Sequence, residues 1–146
     1  MKYKISPMTT AKIPEAVSIE IRANHYPISA IEITELLARP LSFGLVVDKG
    51  FIGVGYAVVV PEPDEVEILR LAIVPSHYGC LAELLVQLRE SISGPPPKVS
   101  IVISENDIAD GLGKALVDCG FLAVALVKNI GTEYGVETDG IKLELA

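Results

Sequence analysis

Apolar residues recur along this chain with two different spacings, and the switches between them mark out its elements. Leu81, Leu84, Leu85 and Leu88 step by three and four, which predicts a helix over 81–92 with one apolar face. Leu41–Asp48 and Phe51–Val60 are near-continuous apolar runs of strand length, and Lys49-Gly50 between them predicts a hairpin. Pro61-Glu-Pro-Asp-Glu65 is the next turn, and a strand over 66–74 follows, so the middle of the chain reads as an antiparallel meander. Lys2–Ser6 predicts a short edge strand. Thr9 or Thr10 then caps a helix whose apolar positions include Ile13, Ala16, Val17, Ile19, Ile21 and Ala23, with Pro14 tolerated in its first turn. Asn24-His25-Tyr26-Pro27 breaks that helix. Ser29 with Glu32 forms a capping box for a second one, which ends at Arg39 before Pro40. Ser93-Gly-Pro-Pro-Pro97 ends the helix 81–92 and leads into a strand over 98–104. A helix over 107–118, weakened by Gly111 and Gly113, stops at Cys119-Gly120-Phe121. Strands over 121–128 and 140–145 close the chain.

The order β-α-α-β-β-β-α-β-α-β-β places one strand–helix–strand crossover, residues 66–104, inside an otherwise antiparallel meander, so the sheet is mixed. A chain of 146 residues predicts one domain, 1–146, with a full core. Half the residues are hydrophobic, yet no apolar run reaches the roughly 18–20 residues that span a bilayer. Near-continuous apolar strands fit a sheet covered on both faces.

The net charge of −7 argues against nucleic-acid or anionic-membrane partners, which require basic patches, and is compatible with a cationic substrate. Cys80 and Cys119 have neither metal-ligand spacing nor a disulfide framework, and the first residues lack a signal-peptide apolar core. A reduced, cytoplasmic protein without a metal is the expectation.

The segment 65–82 carries the most chemistry. A strand that stops at Pro75 and opens a helix after a short loop presents backbone N–H groups at a helix N-terminus, which suits an anion. Glu67-Ile-Leu-Arg-Leu-Ala-Ile-Val-Pro75 resembles the central strand of the GNAT N-acyltransferase superfamily. Four further segments are similar to that family in order and spacing: Ile5–Pro14, Ser104–Ala109, Cys119-Gly-Phe121 and Asp139–Leu145. The resemblance covers nearly the whole chain. It implies a GNAT-like α/β (α+β) fold: a mixed, mostly antiparallel sheet of six to seven strands, flanked by about four helices and splayed where strand 66–74 leaves strand 98–104.

The resemblance also implies acetyl-CoA as co-substrate and direct acetyl transfer to a primary amine on a small molecule or peptide; a homodimer is compatible with it. It implies cofactor contacts from Leu71 and Ile73 on the strand, from His77, Tyr78, Gly79, Cys80, Leu81, Ala82 and Glu83 at the turn, and from Asn106, which otherwise caps the helix at 107. It places His25 and Tyr26 beside the acceptor and makes Glu67 the candidate general base. By simple alternation Glu67 shares a face with Leu69, Leu71 and Ile73, and apolar neighbours disfavour the charged form of a carboxylate, which suits a proton acceptor. Cys80 at a helix start reads either as an activated thiol or as a small buried hydrophobe.

Two departures open a second function class. The pyrophosphate loop of the family has an Arg where this chain has His77, and a Gly where it has Cys80. The tyrosine that many members carry in the last helix is missing, since no tyrosine lies between Tyr78 and Tyr134. A GNAT-like domain that binds CoA weakly or not at all, and acts as a macromolecular binding module, is the alternative.

Overall fold

A computed structural model describes residues 2–94, 98–133 and 136–146. The elements are β1 (Tyr3–Met8), α1 (Ile13–Ala23), α2 (Ala30–Leu37), β2 (Phe43–Lys49), β3 (Ile52–Pro61), β4 (Glu65–Ile73), α3 (Leu81–Glu90), β5 (Lys98–Ser104), α4 (Glu105–Ala109), α5 (Leu112–Asp118), β6 (Leu122–Glu133) and β7 (Val136–Leu145). They form one seven-stranded sheet in the order β1-β2-β3-β4-β5-β7-β6, antiparallel except for β4 against β5. The expected fold class is therefore the observed one. The Pro95–Pro97 stretch expected to end the third helix lies outside the described residues, as does Tyr134.

Each face of the sheet has its own core. On one side the α3 leucines at 81, 84, 85 and 88 pack with Leu71, Ile73, Ile101, Ile103, Leu116 and Phe121. On the other, Ala16, Ile19 and Ile33 of α1 and α2 pack against Val46, Val58 and Ala72. The second face is covered only over part of its width, and its uncovered part holds the site described below.

Two local features position that site. β4 and β5 pair only from Glu65↔Lys98 to Ile68↔Ile101, although β4 runs on to Ile73 and β5 to Ser104. The sheet thus splays at the expected place. The second feature is a bulge in β4: Val58 pairs with Arg70 and Val59 with Ile68, leaving Leu69 as the extra residue. A bulge resets the alternation, which corrects the face assigned to Glu67. Leu71 and Ile73 join the α3 core together with Val66 and Ile68. Glu67 lies on the opposite face, towards α1 and α2, where Leu69 also packs.

Several boundaries differ from the sequence reading: the first helix starts at Ile13 behind Lys12 rather than at a Thr9 or Thr10 cap, the second ends at Leu37 and the third at Glu90. The helix expected over 107–118 is two helices, because Gly111 at φ 98° occupies the left-handed region between them. Ser104 caps the first of these, exchanging hydrogen bonds with Asp107, so Asn106 is not the cap. β6 and β7 form a much longer hairpin than 121–128 and 140–145. An irregularity at 127–131, with Asn129 at φ 55° donating its N–H to Asp139 Oδ1, lets the pairing resume beyond it.

Candidate acceptor and cofactor site

On the α1/α2 face, at the mouth of the β4–β5 splay, lies a cavity of about 470 Å³. The α1–α2 connection forms one wall with His25 and Tyr26, which the sequence reading placed beside an acceptor. Arg70 enters from β4, and Val102 and Ser104 from β5. The α4 region contributes Asn106, Asp107 and Asp110, and the β6–β7 hairpin closes the remaining side with Ile130 and Thr138. His25 Nε2 is 3.2 Å from Asp110 Oδ1, so the α1–α2 wall is tied to the end of α4.

Behind this cavity is a buried polar cluster that the sequence reading did not single out. Glu20 of α1 has no exposed surface, yet its carboxylate accepts from five donors. Arg70 Nε donates to Oε2 at 2.8 Å and Arg70 Nη2 to Oε1 at 2.6 Å; Tyr56 Oη donates to Oε2; Asn24 Nδ2 and the Ile28 N–H donate to Oε1 at 2.9 and 3.3 Å. Burial alone would raise the Glu20 pKa, but the hydrogen bonds and charge of Arg70, with help from Tyr56 and Asn24, hold it below the usual carboxylate range. Burial and the neighbouring Glu20 charge push the Tyr56 hydroxyl up, so it remains a donor. A signal for the cluster was present in the sequence: Glu20 lies on the apolar face of its helix, and Arg70 interrupts an apolar strand. Opposite charges at core-facing positions of a helix and a strand are compatible with burial only if they meet.

Glu67 does not line the cavity. It pairs laterally with Ser100, one position before the splay begins, on the same side of the sheet as Val102.

The residues expected to hold the cofactor are distributed differently from the open loop read in the sequence. Pro75–Cys80 form 3-10 turns, kinked at His77, that run directly into α3. The His77 N–H donates to Val74 O, and the Leu81 N–H donates to Tyr78 O. Of the N–H groups expected at 79–83, that of Leu81 is thus engaged within the turn itself. Cys80 and Leu81 are buried in the core, as are Leu71 and Ile73. Gly79 is exposed, and a Cβ built there would meet nothing within 4 Å. Ala82 and Glu83 border a second concavity of about 400 Å³ beside Tyr3 and Ile5. Tyr78 reaches across to the α4–α5 junction, where its hydroxyl donates to Asp110 O at 3.2 Å. His77 Nδ1 is 3.2 Å from Tyr3 Oη. Of the expected cofactor residues, only Asn106 lines the large cavity.

Of the two readings of Cys80, the structure supports the inert one: burial pushes its thiol up to about 11. Cys80 in the folded protein is therefore expected to resist alkylation by iodoacetamide at pH 7.5 and to become reactive only on unfolding. Rapid labelling of the native protein at Cys80, read by peptide mass, would contradict this.

No family model matches the chain, and no curated protein sequence matches it. Solved structures do. The Escherichia coli ribosomal-protein-S18-alanine N-acetyltransferase superposes with a TM-score of 0.78 at 17% identity, covering 99% of this chain and 93% of that one. A probable acetyltransferase from Staphylococcus epidermidis gives 0.78 at 11% identity, covering 99% and 98%. An IAA acetyltransferase from Bacillus cereus gives 0.73 at 19% identity, covering 99% of both chains. The splayed mixed sheet with helices on both faces is the fold of the GNAT acetyltransferases. At these identities the likeness establishes architecture, and the chemistry must be argued from the site.

Proposed function

We propose that this protein is a GNAT-type N-acetyltransferase that moves an acetyl group from acetyl-CoA directly to a primary amine, in the cytoplasm. The observation that carries the reading is the meeting of the β4–β5 splay with a 470 Å³ polar cavity on the α1/α2 side. Backbone N–H and C=O groups left unpaired where β4 parts from β5 suit an extended amide-bearing arm, and an acyl group held there faces the cavity. Acetyl-CoA supplies the activated thioester. The residues of the chain orient the amine and accept its proton: His25 and Tyr26 on the cavity wall hold the acceptor, and Glu67 takes the ammonium proton through water. The amine nitrogen then bonds to the acyl carbon, the carbon–sulfur bond breaks, and the departing thiolate takes the second proton that the attacking nitrogen sheds, so CoA leaves as the thiol. Calorimetric titration with acetyl-CoA, followed by release of free CoA thiol in the presence of amines, tests the assignment.

The closed 3-10 turn favours a specific qualification: acetyl-CoA binds, but weakly, because pyrophosphate must open part of that turn. Restoring a permanent, forked charge with His77→Arg is expected to tighten acetyl-CoA by roughly ten- to a hundredfold. Equal affinity in both proteins would remove His77 from the cofactor site. The same turn is what favours the second reading, a GNAT-like module that binds a macromolecule. Absence of acetyl-CoA binding in both wild type and His77→Arg would leave that module as the better account.

A further inference from the structure

We propose that Arg70 selects the acceptor: its guanidinium, on the wall of the cavity, binds a carboxylate carried by the same small molecule that presents the amine, so the acceptor is of the amino-acid class. This rests on the acetyltransferase reading for the reaction, but not for the binding. Arg70 uses Nε and one Nη2 hydrogen on Glu20, leaving three of its five N–H groups for other partners. Its side chain is 22% exposed and lines the cavity, so those groups are not walled off by protein.

The bidentate contact with Glu20 fixes the plane of the guanidinium. Glu20 is itself fixed from β3 by Tyr56 and from the α1–α2 connection by Asn24 and Ile28. A planar fork held this way matches a carboxylate in geometry and charge, whereas a lysine would present only a point charge.

The acidic groups of the cavity already have partners: Asp107 accepts from the Ser104 N–H, Asp110 faces His25, and Glu32 caps α2 with Ser29. Asp107 and Asp110 nonetheless give the α4 side of the cavity a negative potential suited to an ammonium, and the Asp107 charge is near enough to favour the charged form of Arg70. A zwitterion matches both walls, whereas a polyamine brings a second positive charge with no carboxylate for the fork.

The test combines binding and turnover. The twenty free L-amino acids are screened by the CoA thiol they release. The best of them is then compared with its carboxamide, its decarboxylated amine and spermidine. Binding of the same four compounds to the protein alone is followed by NMR on the Arg70 Nε–Hε signal. The carboxylate compound is expected to bind and to have a KM roughly ten- to a hundredfold below that of its decarboxylated amine. Arg70→Lys is expected to raise that KM by a similar factor with little change in kcat or in acetyl-CoA affinity.

If Arg70→Lys fails to fold, Glu20→Gln combined with Arg70→Met removes both charges together and is expected to abolish the preference for the carboxylate. The proposal is overturned if the decarboxylated amine or spermidine serves as well as the amino acid, or if neither variant changes the preference. It is equally overturned if no carboxylate compound shifts the Arg70 signal. Carboxylate binding at Arg70 without acetyl transfer would uphold the anchor and overturn the transferase reading. Transfer to spermidine independent of Arg70 would do the reverse.

Discussion

Glu67→Gln is expected to lower kcat by about 10²–10⁴-fold while leaving acetyl-CoA affinity unchanged, the range seen when a positioned proton acceptor is removed. Glutamine keeps the shape of the side chain and the β4 register, so the strand pairing Glu67↔Ser100 should survive. Glu67 is on the acceptor side of the sheet but is not among the residues that line the cavity, which is why water is placed between it and the amine. Replacing the carboxylate therefore removes the proton destination without touching the groups that hold either substrate. Steady-state rates from pH 6 to 9, with calorimetry on both proteins, separate the effects. An unchanged kcat across that series would take Glu67 out of the reaction. The proton acceptor would then fall to His25, held 3.2 Å from Asp110, and His25→Gln would carry the loss instead.

Glu20→Gln is expected to destabilise the fold by up to about 3–5 kcal/mol, the range for breaking a buried pair, because it leaves the largely covered Arg70 charge without its counter-charge. For a chain of this length that corresponds to a drop of roughly 6–20 °C in Tm. Removing both charges, Glu20→Gln with Arg70→Met, should recover most of the loss, since a buried ion pair repays little beyond the desolvation of its own members. The Gln retains an acceptor for Tyr56 and Asn24. A single variant with wild-type Tm would mean that the cluster is solvated rather than buried.

The same carboxylate sets an acid limit. Its pKa is lowered in the folded state, so its contribution is fully present above the unfolded Glu value of about 4.3 and is lost as pH falls through the lower folded value. Denaturant titrations should show wild type losing stability below about pH 4 more steeply than the double variant.

The elements were largely legible because each carries its own local signal. The Ser29–Glu32 capping box, the Lys49-Gly50 hairpin, the α3 leucines and the apolar strand before Pro75 each specify a conformation without reference to the rest of the chain. The site was legible in part. His25, Tyr26 and Asn106 line one cavity, where the resemblance had set the first two beside the acceptor and the last beside the cofactor. The face of Glu67 relative to Leu71 was misread, because a bulge at Leu69 depends on how β3 and β4 pair, and strand periodicity contains no mark of it. The turn at 75–80 was read as an open loop because departures from a glycine pattern do not say what the backbone does instead. Here it winds into 3-10 turns kinked at His77. The long β6–β7 hairpin was missed because its middle is polar and rich in Asn, Gly and Thr, and only cross-strand pairing holds it as strand.

The sequence by itself determined the order of elements, the mixed sheet and the crossover whose parting strands make the splay, since hydrophobic period, caps and turns act over a few residues. The tertiary structure alone decided where the charges went. Glu20 and Arg70 are 50 positions apart and reveal nothing of each other locally. Only packing α1 across β3 and β4 brings them together, because a buried carboxylate is tolerated in an interior only beside a counter-charge.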